Sequence, residues 1–132
     1  MQSMLQALAA NDRKGVERLA VNEHEYRALI LPGSVKPGKP PQIMPEEKSA
    51  YFWRMLYTNS FYTLDNIMQG HGGKKYNLKR IEVQRVEPFA WYIAHRDPIL
   101  VLEEDDGTRL DVRLGSIAEY NGQFKFISFW SD

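Results

Sequence analysis

Apolar positions recur along this chain with two different periods, and the change falls near residue 76. Before it the spacing is three and four residues, which predicts helices; after it the spacing is two, which predicts strands. Leu5, Leu8 and Ala9 form one helical stripe, Asn11 and Asp12 supply capping side chains, and Val16, Leu19 and Ala20 continue the pattern. Residues 23–31, with Tyr26, Leu29 and Ile30 apolar, predict a further short helix that ends before Pro32. Residues 32–45 hold five of the seven prolines together with Gly33 and Gly38, so this stretch is expected to be a long surface loop, either loose or lying over a pocket as a lid.

The longest helix is expected over 46–68. Pro45 suits the first helical position, and Glu46 and Glu47 sit against the positive end of the helix dipole. Ala50, Trp53, Leu56, Tyr57, Phe61, Leu64, Ile67 and Met68 then follow at helical spacing, with Gly70 as the stop and His71 near the negative end. Tyr51, Phe52 and Tyr62 add apolar mass off that stripe, so this helix should be covered on more than one side.

Strands are expected at 76–87, 89–94, 99–104, 108–120 and 123–130, joined by short connections. Asp106-Gly107 and Asn121-Gly122 both suit two-residue hairpin turns with positive φ. Helices first and a strand meander second give an α+β fold: N-terminal helices packed on a curled antiparallel sheet, one domain over 1–132.

Two-residue turns would pair Glu104 with Arg109, Val101 with Val112, Tyr120 with Gln123 and Arg113 with Trp130. One face would then collect Ile99, Val101, Leu110, Val112, Leu114, Ile127 and Phe129 as core. The other would collect Leu100, Leu102, Ile117, Phe124, Phe126 and Trp130 with Asp111, Arg113 and Glu119, too apolar for plain surface and too charged for a dry core. Three readings compete for that second face: a structural one in which nothing binds, a subunit interface, and the lining of a pocket closed by the long helix. A slip of one residue in either turn would exchange the two faces.

Composition narrows the function classes. Seventeen Lys and Arg balance seventeen Asp and Glu over 132 residues, which argues against a chain-wide grip on nucleic acid or on an anionic membrane. No apolar run reaches the ~18–20 residues of a membrane span, and residues 1–6 lack a signal-peptide pattern. A soluble protein is expected, either cytoplasmic or exported with a leader outside this chain. With no cysteine there is no disulfide, thiol nucleophile or Cys-ligated metal, and no cofactor is expected.

The segments LQALAANDRKGVERL (5–19), the helix over 46–68 and LDVRLGSIAEYNGQFKFISFW (110–130) together resemble the NTF2-like, cystatin-like cone superfamily in element order. The resemblance covers nearly the whole chain and rests on no specific motif. It implies a cone enclosing a pocket between sheet and helices, and dimers formed through the sheet. Its members include steroid-isomerase-like and polyketide-cyclase enzymes, dehydratases, immunity proteins and small exported proteins.

The resulting expectation is a non-catalytic domain that binds a small apolar or acidic ligand, or a partner chain, with Asp111, Arg113, Trp130, Phe126, Leu102, Trp53 and Tyr57 as ligand or interface residues. The alternative is an isomerase, dehydratase or cyclase with Asp111 as general base and Tyr57 or Tyr26 as hydrogen-bond donor. No family motif carries either assignment over residue by residue.

Other constellations are weaker. His24, His71 and His95 lack metal-ligand spacing. The run Gly70-His71-Gly72-Gly73-Lys74-Lys75 departs from a phosphate loop, since no strand leads into it and Tyr76 follows Lys75. Lys74, Lys75, Lys79, Arg80 and Arg85 are interrupted by Glu82, as expected of a solvated strand edge rather than a nucleic-acid site.

Overall fold

The computed structural model describes residues 2–129, with only the backbone at 2 and 3. Helices α1 (Gln2–Ala9) and α2 (Arg13–Glu17) are joined by a turn in which Asn11 takes a positive φ, and the Asp12 side chain caps α2 by accepting from the Gly15 N–H. Helix α3 covers 23–33 in three consecutive pieces: Glu23–Glu25, a π-helical turn Tyr26–Ile30, and Leu31–Gly33. It therefore does not stop before Pro32 as the sequence suggested. The Leu31 N–H reaches back five residues to the Tyr26 carbonyl, and this wider turn accommodates a proline in the helix that follows.

Residues 34–45 form no regular element, as expected, but they are tied down. Gln42 N–H donates to the Pro32 carbonyl, and the Val35 carbonyl accepts from Ala90. Helix α4 (Glu46–His71) begins where the sequence placed it, with Pro45 as its N-cap rather than its first helical residue. It runs through Gly70 and ends at Gly72, whose N–H bonds the Met68 carbonyl.

Seven strands follow: β1 (Asn77–Glu82), β2 (Arg85–Pro88), β3 (Ile93–Arg96), β4 (Ile99–Glu103), β5 (Arg109–Arg113), β6 (Ile117–Tyr120) and β7 (Gln123–Phe126). They form two antiparallel sheets, ordered β1-β4-β5 and β2-β3-β6-β7. The runs expected at 76–87 and 108–120 are each broken into two strands, and the strand expected at 89–94 is partly a tight turn closed by Phe89 N–H on the Tyr92 carbonyl.

The breaks coincide. Glu82 pairs with Ile99 and Arg85 with Arg96, two residues intervening on either side. Ile99 pairs with Arg113 and His95 with Ile117, three residues intervening on either side. The register thus passes through one shared corner, braced by Arg96, which donates to Glu87 and to the Ser116 hydroxyl.

The second hairpin has the expected two-residue loop, with positive φ at Asn121 and Gly122. The first does not. Glu103 pairs with Arg109 and Val101 with Asp111, one residue off the expected register. The loop holds three residues, 105–107, and Gly107 takes the left-handed conformation that closes it. The two faces therefore exchange along β4. Leu100, Leu102, Leu110, Val112 and Leu114 point into the core, while Ile99 and Val101 lie in rows with Arg113 and Asp111.

The buried apolar side chains form two cores, the first drawing on strands of both sheets. Met4, Leu5, Leu8, Val16, Leu64, Ile67, Leu100, Leu102, Leu114, Ile117, Phe126 and Phe129 fill one; Val21, Tyr26, Ile30, Tyr92, Ala94, Ala118 and Tyr120 fill the other. Helix α4 spans both, with Leu64 and Ile67 in the first and Trp53 and Leu56 against the second.

Gly33 of α3 packs directly against Trp91 in the β2–β3 turn. A Cβ there would stand 2.6 Å from the Cβ of Trp91, an atom next to the backbone that cannot swing away. Gly33→Ala should cost roughly 1–3 kcal/mol and change the tryptophan emission; an unchanged denaturation midpoint would refute this packing.

Candidate functional site

Between α2, the start of α3, the middle of α4 and the end of β7 lies an open groove of about 620 Å³, within the size range of small-molecule sites. One wall is aromatic because Trp53, Tyr57 and Phe61 recur every four residues on α4. Their ring centroids are 5.5 and 6.1 Å apart, and Tyr26 backs Trp53 at 5.7 Å. Arg13 holds the end of this ladder, its guanidinium 4.4 Å from the Phe61 ring centre and paired with Asp65. Leu56, Leu64, Ile127 and Phe129 complete the apolar lining.

The opposite wall is the link from α2 to α3. It is pinned to the edge of β7, because Phe126 donates to the Leu19 carbonyl and accepts from the Val21 N–H, each at 2.8 Å. Asn22 and Glu25 then form a reciprocal capping box at the start of α3. The Glu25 carboxylate also accepts from the Tyr120 hydroxyl at 2.6 Å and from Lys125 Nζ at 2.9 Å through both oxygens.

Burial pushes this carboxyl up, but the bonds from Tyr120, Lys125 and Asn22 outweigh it, and its pKa lies below the ordinary value. Tyr120 moves the other way. Burial, and then its bond to the Glu25 anion, raise its hydroxyl above the usual tyrosine range.

Around the groove each carboxylate is engaged: Glu17 with Arg13, Glu23 with Arg27 and Glu25 with Lys125. Lys14 and Arg18 stand one helical turn apart on the rim, exposed, and neither has a side-chain partner among the described residues. The groove therefore offers an aromatic wall beside two unengaged cations.

The sequence-derived candidates divide. Trp53 and Tyr57 line the groove together, and Tyr26 lies buried behind Trp53. Phe126 and Leu102 are core residues. Asp111 and Arg113 lie on the exposed outer side of β5, outside the groove, where Arg109 holds Asp111 at 3.0 and 3.1 Å and keeps its carboxyl below the ordinary pKa. Trp130 lies outside the described residues.

The mixed face inferred from two-residue turns is not formed as expected, because the extra residue in the first loop turns β4 over and sets Ile99 and Val101, not Leu100 and Leu102, beside Arg113 and Asp111. Sequence reasoning missed Lys14, Arg18, Glu25, Phe61, Lys125 and Phe129 as groove residues. Only the four-residue spacing of Lys14 with Arg18, and of Tyr57 with Phe61, carried a signal. Among the described residues no three of His, Cys, Asp and Glu stand together as a metal site, and no helix is long and apolar enough to cross a membrane.

Glu25 joins α3 to both strands of the last hairpin, so Glu25→Ala should cost roughly 2–3 kcal/mol by stranding Lys125 and Tyr120. A carboxyl with a lowered folded pKa stabilises the fold above its unfolded value near 4.5, and that contribution is lost as pH falls through the folded value. Denaturant titrations should show wild type losing more stability than Glu25→Gln below that pH; parallel curves would refute the linkage.

Comparison with protein-family models, with curated proteins and with solved structures finds no match in any of the three.

Proposed function

We propose that this chain is a non-catalytic binding domain whose groove takes a small, largely apolar molecule bearing an acidic group. The observation that carries this reading is the pairing of the Trp53–Tyr57–Phe61 wall with Lys14 and Arg18, rim cations that have no side-chain partner among the described residues, while Glu17, Glu23 and Glu25 each have one. The aromatic wall supplies area for an apolar body, and the cations supply a charge-assisted hold on a carboxylate or phosphate. The helices-first order and the bent antiparallel sheet are compatible with an NTF2-like cone, which supports a pocket on the helix side of the sheet.

Catalysis finds less support. A general base working near neutral pH needs a pKa near the working pH. The Glu25 carboxyl is instead held ionised by three donors, and Asp111 lies outside the groove. The groove is suited to holding a ligand.

The test is a thermal shift and tryptophan-emission titration with medium- and long-chain fatty acids and aromatic carboxylates, each beside its methyl ester. Acids should raise the melting point by several degrees at saturation, since a ligand at ~100 times its Kd adds ~2.7 kcal/mol. Lys14→Ala/Arg18→Ala should remove the preference of acid over ester, and Trp53→Ala should weaken both. Equal responses to acid and ester would refute the anionic part, and no response to any compound would refute the reading.

A further inference from the structure

Helix α4 is apolar on a second side that faces away from the groove. Tyr51, Met55, Thr58 and Tyr62 follow one another at spacings of four, three and four residues, the spacing of a helix–helix seam, with Phe52 beside them. Tyr51 is 52% exposed, Phe52 36%, Met55 48% and Tyr62 63%. The exposed parts amount to about two whole side chains, or ~400 Å² at ~200 Å² for each large residue. A standard interface takes ~800 Å² from each partner, a little over half of it apolar, so this stripe supplies most of the apolar share of one half-interface.

The geometry points to a second copy of this chain as the occupant, packed antiparallel along α4 about a two-fold axis near Thr58 and Asn59. Charge favours the antiparallel direction, although exposed Lys48 offsets part of the acidic end of the helix. Exposed Glu46 and Glu47 open the helix, and exposed Lys74 and Lys75 stand just beyond its end. Glu47, Lys74 and Lys75 have no ionic partner among the described residues, and Glu46 reaches Arg27 only at 3.8 Å.

An antiparallel pair sets the acidic end of each helix against the lysines of the other and opposes the two helix dipoles. A parallel pair would set Glu46 and Glu47 against their own copies. In the antiparallel register Met55 meets the partner's Tyr62, and Tyr62 meets the partner's Met55, which makes the contact self-complementary as a two-fold interface requires. The groove residues Trp53 and Phe61 lie off this seam, so the pairing is independent of the ligand reading.

The test is sedimentation velocity of the full chain from low to high micromolar concentration, together with disulfide trapping. The chain has no native cysteine to interfere. Wild type should pass from monomer to dimer as concentration rises. Tyr62→Asp and Met55→Lys, both at exposed positions, should weaken the dimer about 100-fold with unchanged circular dichroism.

Thr58→Cys should cross-link to itself under mild oxidation. Glu47→Cys should not, but a mixture of Glu47→Cys and Gly70→Cys should. A wild-type chain that stays monomeric throughout, a dimer that survives both seam substitutions, or a Thr58→Cys chain that does not cross-link would each overturn the proposal. So would a monomer that binds anionic vesicles through this stripe.

Discussion

The arrangement of this protein depends on one constraint: three neighbouring strands turn the same corner together without changing register. At 83–84, 97–98 and 114–116 the chain bends between the two sheets, and equal numbers of residues intervene on paired strands. Leu114 and Ile117, three residues apart, both face the core because the bend shifts the alternation by one. Leu114 N–H on the Pro98 carbonyl and the contacts of Arg96 hold the corner. The buried side chains gather in two small cores rather than one, and α4 is long enough to reach both.

The groove is a consequence of that division. It is lined by residues of both cores, and the link from α2 to α3 runs along the edge of β7. Backbone bonds to Phe126 fix its position, and the Glu25 cluster fixes its far end. The same carboxylate that begins α3 also locks the last hairpin, so the floor and wall of the groove are set by one charge-assisted network. Among the described residues Lys14 and Arg18 on the rim have no side-chain partner, and they set the polar character of the opening.

Helix α4 carries the remaining tension. Its buried stripe serves the cores, its Trp53–Tyr57–Phe61 edge lines the groove, and Tyr51, Met55 and Tyr62 face outward. A helix apolar over so wide an arc is normally enclosed. In this chain Tyr51, Phe52, Met55, Tyr57 and Tyr62 are instead exposed, which is why both functional readings concern the surfaces of α4.

Much of this was legible in the linear pattern. The switch of period near residue 76 separates helices from strands, Pro45 with Glu46 and Glu47 marks the start of α4, and Asn121-Gly122 sets the last hairpin, because each of these is decided by local sterics and spacing. The wide apolar arc of α4 was equally readable. The breaks inside two long strands, the π-helical passage through Pro32 and the three-residue loop before β5 were not, since several backbone paths satisfy the same residues and only packing chooses among them. That single extra loop residue turned β4 over, moved Leu100 and Leu102 into the core and left Asp111 outside. The groove was still less visible: Lys14, Glu25, Phe61 and Lys125 are far apart in the chain, and they meet only because the bent sheet brings β7 beside the α2–α3 link. Periodicity reports which side of an element is apolar, and it carries no information on which distant charges that side will face.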